Sequence, residues 1–383
     1  MRLTDFAYAA VPSDAELLRQ EIRAFLAREM EGIAPVVRAD SWLGYDAAFS
    51  RKLGEAGLIG LTMPERFGGR GGSAFARYVV SEELLAAGAP VSAHWIADRQ
   101  SAPLLLRYGT QEQQDLYIPA IVRGESYFCI GMSEPNSGSD LASIGSRAVA
   151  KGTGWRLNGR KVWTTNAHRS DVMIALIRTE GGGSDDRHGG MSQFLIDLHA
   201  PGVTVRPIRD LSGGEHFNEV FFDDVALDRS ALIGVEGQGW QQVMAELAFE
   251  RSGPERFLSS MALMHTLIDQ VGPEPDALQA FQIGRITARL MALRAMSLSV
   301  TAQLDAGEDP AWAASCVKDV GTALEQELPE VAQLLDATEP RVDSGSDHAQ
   351  VLAYLTQLAP SFSLRGGTRE ILRGILARGL GVR

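Results

Sequence analysis

Gly131-Met132-Ser133-Glu134-Pro135-Asn136-Ser137-Gly138-Ser139-Asp140 continues a short apolar run that begins at Tyr127. A loop of this composition offers hydroxyls and free backbone N–H groups to a planar polar ligand or a phosphate. By itself it is an ordinary turn. Further along comes Asn158-Gly159-Arg160-Lys161-Val162-Trp163-Thr164-Thr165-Asn166. A tryptophan beside two threonines can stack on an aromatic ring system and hydrogen-bond its edge, although a lone strand tryptophan usually belongs to a core.

Around these segments the pattern is that of strands. Val172-Met173-Ile174-Ala175-Leu176-Ile177, Gln193-Phe194-Leu195-Ile196 and Glu219-Val220-Phe221-Phe222 are short apolar runs. They are separated by Gly/Ser/Asp clusters such as Gly181-Gly182-Gly183-Ser184. Trp155 to Gly159 reads as a hairpin edge with an Asn-Gly turn. Such spacing predicts a β-barrel or sandwich domain.

On either side the period becomes helical. Ser13 with Glu16 resembles a capping box, followed by Leu17, Leu18, Ile22, Phe25 and Leu26. Helices are expected near 75–87, 102–108 and 111–122. Beyond Gly237 they are expected from Trp240 through Leu247 and over 281–304, 311–335, 352–358 and 370–377. The order is α, β, α: an α+β multi-domain chain with an N-terminal helical domain (1–125), a middle β domain (126–236) and a C-terminal helical domain (237–383).

Composition narrows the function. The 383 residues are 45% hydrophobic and 22% charged, ample for large cores and too long for one ordinary domain. Lys+Arg number 36 against 48 Asp+Glu, a net charge of −12, which argues against nucleic-acid binding. Two cysteines exclude a disulfide framework and a four-thiolate zinc site, and the seven histidines form no metal motif. The N-terminus lacks a signal-peptide h-region and no apolar run approaches a membrane span, so a cytoplasmic protein without metal is expected.

The two quoted segments, in their order, resemble the acyl-CoA dehydrogenase family, which carries a T/S-E-P-x-x-G-S-D loop followed by N-G-x-K-x-W-x-T-N. The resemblance extends to Pro64-Glu65-Arg66-Phe67-Gly68-Gly69 and to Gly366-Gly367-Thr368-Arg369-Glu370-Ile371-Leu372-Arg373. It implies a C-terminal four-helix bundle, with FAD between that bundle and the β domain. It implies that Met132, Ser133 and Ser139 line the flavin, that Trp163 lies against the isoalloxazine, and that Thr165 hydrogen-bonds near its N5. Thr368 and Glu370 are expected near the cofactor. The implied reaction removes two hydrogens from Cα and Cβ of an acyl-CoA thioester, with electron-transfer flavoprotein as acceptor, in fatty-acid or steroid side-chain catabolism.

That chemistry needs a carboxylate for the Cα proton. Most members place a glutamate immediately before the Gly-Thr of the C-terminal motif, where this chain has Gly366. A minority, similar to the isovaleryl and long-chain enzymes, carry it on the first bundle helix. Here that helix offers Leu247-Ala248-Phe249-Glu250-Arg251, making Glu250 the candidate base and Glu255 the alternative. Arg251 and Gly366 are expected on the substrate side.

One family feature is missing. Homotetramers of the family carry R-x-x-F-G after the first bundle helix, reaching a neighbour's FAD. This chain reads Asp269-Gln270-Val271-Gly272-Pro273-Glu274-Pro275-Asp276-Ala277, a poor partner for pyrophosphate. The family's later Q-x-x-G-G-x-G is replaced by the region of Asp343-Ser344-Gly345-Ser346-Asp347. The pattern resembles the split α2β2 dehydrogenases of bacterial steroid catabolism, so a paralogous subunit is the expected partner. Arg285 or Arg289 in a homo-oligomer is the alternative source of the clamp. A catalytically silent paralogue serving an active subunit is the rival function.

Overall fold

A computed structural model describes residues 6–179 and 187–382, the side chains of 245–250 excepted. The helices are α1 (Ser13–Glu29), α2 (Pro35–Arg38), α3 (Ala47–Glu55), α4 (Ala74–Ala86), α5 (Ser92–Ile96), α6 (Ala102–Tyr108), α7 (Gln111–Val122), α8 (Gly239–Glu250), α9 (Met261–Val271), α10 (Ala277–Asp305), α11 (Ala311–Leu335), α12 (Asp347–Leu358) and α13 (Arg369–Gly379). The strands are β1 (Phe128–Gly131), β2 (Arg147–Lys151), β3 (Gly154–Thr165), β4 (Val172–Arg178), β5 (Met191–Asp197), β6 (Val203–Ile208), β7 (Phe217–Leu227) and β8 (Leu232–Ile233). The expected order of helices, strands and helices is therefore present. The Gly181–Ser184 cluster lies outside the described residues.

Contacts divide the chain into two compact units, one of Asp46–Gly71 and Ser92–Leu247, the other of the remaining stretches up to Tyr45, Gly72–Val91 and from Ala248 onward. The first is built around β4. Its apolar run is buried on both faces, which is why it shows no alternation. Met173, Ala175 and Ile177 face Leu157, Phe194, Ile196, Val220 and Phe222. Val172 and Ile174 share the other side with Phe128, Leu195 and side chains of α6 and α7, including Leu104, Leu105, Ile118 and Ile121. The strands form one mixed sheet, ordered β6-β7-β3-β2-β4-β5-β8, with β1 paired in parallel to β4. The middle β domain expected from the sequence is thus an eight-stranded mixed sheet, with helices on one side of β4 and β5.

Two local expectations fail. Asn158-Gly159 is not a hairpin turn; it lies inside β3, and the β2–β3 turn is made by Gly152 and Thr153. Asn158 accepts the Asp224 N–H through its side-chain oxygen at 2.9 Å. Gly159 sits at φ +150° beside a bulge, where a Cβ would lie 2.2 Å from Ser146 Oγ. Both turn-type residues therefore serve strand packing. Nor does Ser13 form a capping box: Pro12 is the N-cap, no side chain caps it, and Glu16 turns to Arg19. A capping box does occur at α7, where Thr110 and Gln113 exchange side-chain and backbone bonds.

The second unit is helical. α4 packs against α1 and α10, α11 against α9, α10, α12 and α13, and α12 against α9, which gives the C-terminal bundle. Arg19 and Arg294 both reach Glu82, joining α1, α4 and α10. Asp276 caps α10 by accepting the Gln279 N–H at 2.8 Å, and Ser346 caps α12. Among the described residues no helix is long and apolar enough to cross a membrane, and no His/Cys/Asp/Glu group could hold a metal.

Candidate functional site

The loop after β1 is tied to β3 bond by bond. Gly131 is required by close approach, since a Cβ there would meet Met173 Sδ at 2.5 Å. The Met132 carbonyl accepts from Lys161 Nζ at 3.1 Å, and the Ser133 carbonyl accepts from the Val162 N–H at 2.9 Å. Glu134 accepts from Lys161 Nζ at 2.8 Å and from the backbone N–H groups of Gly145 and Ser146 at 2.6 and 3.1 Å. Glu134 and Ser137 exchange backbone bonds, closing the turn. Ser139 is exposed, and Asp140 pairs with Arg187. Burial works to raise the Glu134 pKa, but the Lys161 ammonium and the N–H donors outweigh it and hold it below the ordinary carboxylate range. Burial lowers Lys161 to about 8 against the pull of Glu134.

Trp163 sits in the second bulge of the β3–β7 ladder at φ +58°. A bulky residue in the left-handed region is strained, and such strain clusters at functional sites. Its indole is 60% exposed and meets Phe217 edge-on at 6.1 Å. Thr165 is half-buried, and Asn166, at φ +53°, donates to Ser92 Oγ. In the residues that follow Trp163, the buried Thr164 Oγ1 and Asn166 Oδ1 have no hydrogen-bond partner among the described residues. Unsatisfied buried polar atoms are uncommon in native proteins. An exposed indole held in a strained conformation, next to half-exposed Met132, Ser133 and Thr165, fits a flat ring with polar edges, as in a flavin.

The C-terminal motif forms a second cluster. Gly366 and Gly367 lie at φ +63° and +98°, conformations that suit glycine. Arg251 Nε donates to the Gly366 carbonyl at 3.1 Å, and the fully buried Lys318 donates to that of Gly367 at 2.7 Å. Thr368 is the N-cap of α13, and Glu370 lies exposed in its first turn, where the helix N–H groups, the Thr368 hydroxyl and nearby arginines keep its pKa low. Glu250 is the last residue of α8, and its side chain lies outside the described residues. Glu255 is buried. Its carbonyl accepts from Arg365, which also pairs with the buried Glu325 at 3.0 Å. Burial raises the Glu325 carboxyl and lowers Arg365 to about 10. Arg285 and Arg289 both pair with Glu327.

Sequence reasoning quoted Glu134 and Lys161 but gave them no role, and it passed over Lys318 and Arg365. A carboxylate in the loop and a lysine at an inward position of the following strand were the available signal for the first pair. Nothing in the local pattern of α11 marks Lys318 as buried.

With this geometry in hand, family models for the acyl-CoA dehydrogenase N-terminal domain and middle domain match residues 12–125 and 129–225. The acyl-CoA dehydrogenase IpdE1 of Mycolicibacterium smegmatis is 32% identical over 95% of this chain and 96% of its own length. IpdE1 of Mycobacterium tuberculosis is 39% identical over 62% of this chain, a match that spans 63% of that protein. Among solved structures, the Tcur3481–Tcur3483 steroid ACAD superposes with a TM-score of 0.86 at 25% identity, covering 97% of this chain and 98% of that one. The ChsE4–ChsE5 complex from Mycobacterium tuberculosis gives 0.85 at 25% identity, covering 98% and 99%. The chain belongs to the acyl-CoA dehydrogenase family of FAD-dependent flavoprotein oxidoreductases.

Proposed function

We propose that this chain catalyses α,β-dehydrogenation of an acyl-CoA thioester to the 2-enoyl-CoA, acting in the cytoplasm on a steroid-derived or fatty acyl group. The observation that carries the reading is Trp163, a strained and exposed indole beside the stapled Met132–Ser133 loop. FAD, when bound, supplies the hydride acceptor. Trp163 carries its ring; Met132, Ser133, Ser139 and Thr165 line it, with Thr368 and Glu370 nearby. Glu250 removes the Cα proton. Support for that assignment comes from Arg251, the next residue, whose guanidinium reaches the carbonyl of Gly366, so the end of α8 is within one arginine's length of the glycine that stands where most members keep their base. Arg251 and Gly366 then border the thioester side.

The steroid class is supported by the likeness to a steroid ACAD. The partner reading is an α2β2 tetramer with a paralogous subunit, with electron-transfer flavoprotein as acceptor. It is supported by the likeness to a two-component complex, and by Asp276 being a helix cap where the homotetramers carry their clamp. The second reading, a silent partner of an active subunit, draws on the acidic stretch at 269–277 where the homotetramers carry their clamp.

Glu250→Gln decides between them. We expect anaerobic flavin reduction by a panel of acyl-CoAs to fall at least ~10²-fold while FAD stays bound. Near-normal reduction in this variant would remove Glu250 as base, and no reduction of the wild-type complex by any acyl-CoA would leave the silent-partner reading. Native mass spectrometry tests the partner: an active homo-oligomer with one FAD per subunit would refute the split site.

A further inference from the structure

Lys161 is among the largest fully buried side chains, with none of its surface exposed. An ammonium in that position is costly unless it is paired and hydrogen-bonded. Lys161 meets both conditions, and in a specific place. Its Nζ bridges the Met132 carbonyl and the Glu134 carboxylate. Glu134 extends the bridge to the N–H groups of Gly145 and Ser146. Ser146 Oγ then accepts the Arg160 N–H at 3.1 Å, returning the chain of bonds to β3 next to Lys161. The adjacent Val162 N–H holds the Ser133 carbonyl. Trp163 is the next residue. The loop and the indole are thereby fixed to one another through a closed set of bonds around one buried charge.

We propose that the Lys161–Glu134 ion pair is a positioning device for the cofactor, setting the spacing between the Met132–Ser133 segment and the Trp163 indole. This rests on the reading that these two segments hold FAD. An apolar pair of similar volume could fill the same space with little loss of stability, because desolvation offsets most of the attraction in a buried ion pair. What an apolar pair could not do is hold the Met132 carbonyl. Side chains that contact a ligand are placed accurately only when a supporting layer locks them.

The test uses the FAD-loaded complex and three variants. Lys161→Met leaves Glu134 without its cation and is expected to lower the melting temperature. Lys161→Met with Glu134→Gln removes both charges and keeps the volume, so it is expected to melt close to the parent. In that double variant FAD dissociation should accelerate at least ~10-fold, the size of one lost charged hydrogen bond to the binding frame. The vibrational structure of the visible flavin band should also blur as the ring loses a fixed environment. Trp163→Ala, run alongside, reports on the underlying site. If Trp163→Ala releases FAD while the double variant keeps the parental dissociation rate and spectrum, the pair is only structural and the inference fails. If Trp163→Ala also keeps FAD unchanged, the site reading fails and takes the inference with it. Accelerated release with a preserved melting temperature supports positioning.

Discussion

Replacing Trp163 separates cofactor binding from stability, because the residue is exposed and strained at once. The indole is 60% exposed. Aromatic side chains bury up to about 250 Å² in full, so roughly 150 Å² of this one is available, of which a stacked ring would cover about half. At ~25–30 cal/mol per Å² that is about 2 kcal/mol, and stacking geometry adds ~0.5–1.5 kcal/mol. Trp163→Ala should therefore weaken FAD binding by about 2.5–3.5 kcal/mol, or ~70- to ~350-fold in dissociation constant. Trp163→Gly should weaken it equally. The two variants should differ in stability: at φ +58° an L-residue costs ~1–2 kcal/mol that glycine does not. The glycine variant should thus melt ~2–4 °C above the alanine variant, the reverse of their usual order in a strand. Titration of apoprotein with FAD by fluorescence quenching, with calorimetric melts of the apoproteins, measures both. An alanine variant with parental FAD affinity would refute the stacking role, and a glycine variant melting below alanine would refute the strain.

Gly159→Ala should destabilise by about 2–4 kcal/mol, since its Cβ would overlap Ser146 Oγ at 2.2 Å and its φ is +150°; thermal melts falling by less than ~2 °C would contradict this. Lys161 gives a pH dependence with two opposite signs. Burial holds its folded pKa at about 8, below the ordinary lysine value of 10.5, so the stability linked to it is fully present above 10.5 and is lost as pH falls through about 8. The resulting cost of keeping the charged form folded is on the order of 3 kcal/mol at neutral pH. Glu134 is already ionised there, and the second acceptor of the Lys161 ammonium is the Met132 carbonyl, so FAD retention should decline as pH rises through about 8 while the fold tightens. FAD dissociation rates from pH 7 to 9.5 in wild type, against the double variant at Lys161 and Glu134, check this; identical profiles would dismiss the titration.

The apolar runs at Val172–Ile177 and Gln193–Ile196 were legible as strands because burial on both faces leaves an uninterrupted hydrophobic signal. α7 and α11 carried clear boundaries and helical period, and the expected 111–122 and 311–335 are the observed ones. β6 was not legible. Its residues Val203–Ile208 are partly exposed and include Pro207, and the strand exists because β7 offers it a partner. Asn158-Gly159 misled because turn chemistry is read locally, while a 12-residue strand with a bulge is stabilised by neighbours on both sides. The chemistry-bearing segments were legible as motifs, yet the bonds that hold them were not. Which lysine is buried depends on the register of β3 against the loop and β7, and that information is spread over residues far apart in sequence.

The turn at Gly366-Gly367 gives a physical reason for where a base can and cannot stand. A glutamate at 366 would occupy φ +63°, a left-handed conformation costing ~1–2 kcal/mol for any residue with a Cβ. The turn cannot easily relax to avoid that cost, because both of its carbonyls are held by cations from the bundle, Arg251 at 3.1 Å and Lys318 at 2.7 Å. Thr368 then begins α13 as its N-cap, which fixes the far end of the turn. Glycine suits this turn, and a residue with a side chain would be strained at either position. On the proposed reaction, a proton acceptor would come from another element. Glu250, the base proposed above, ends α8 and directly precedes Arg251, whose guanidinium holds this turn.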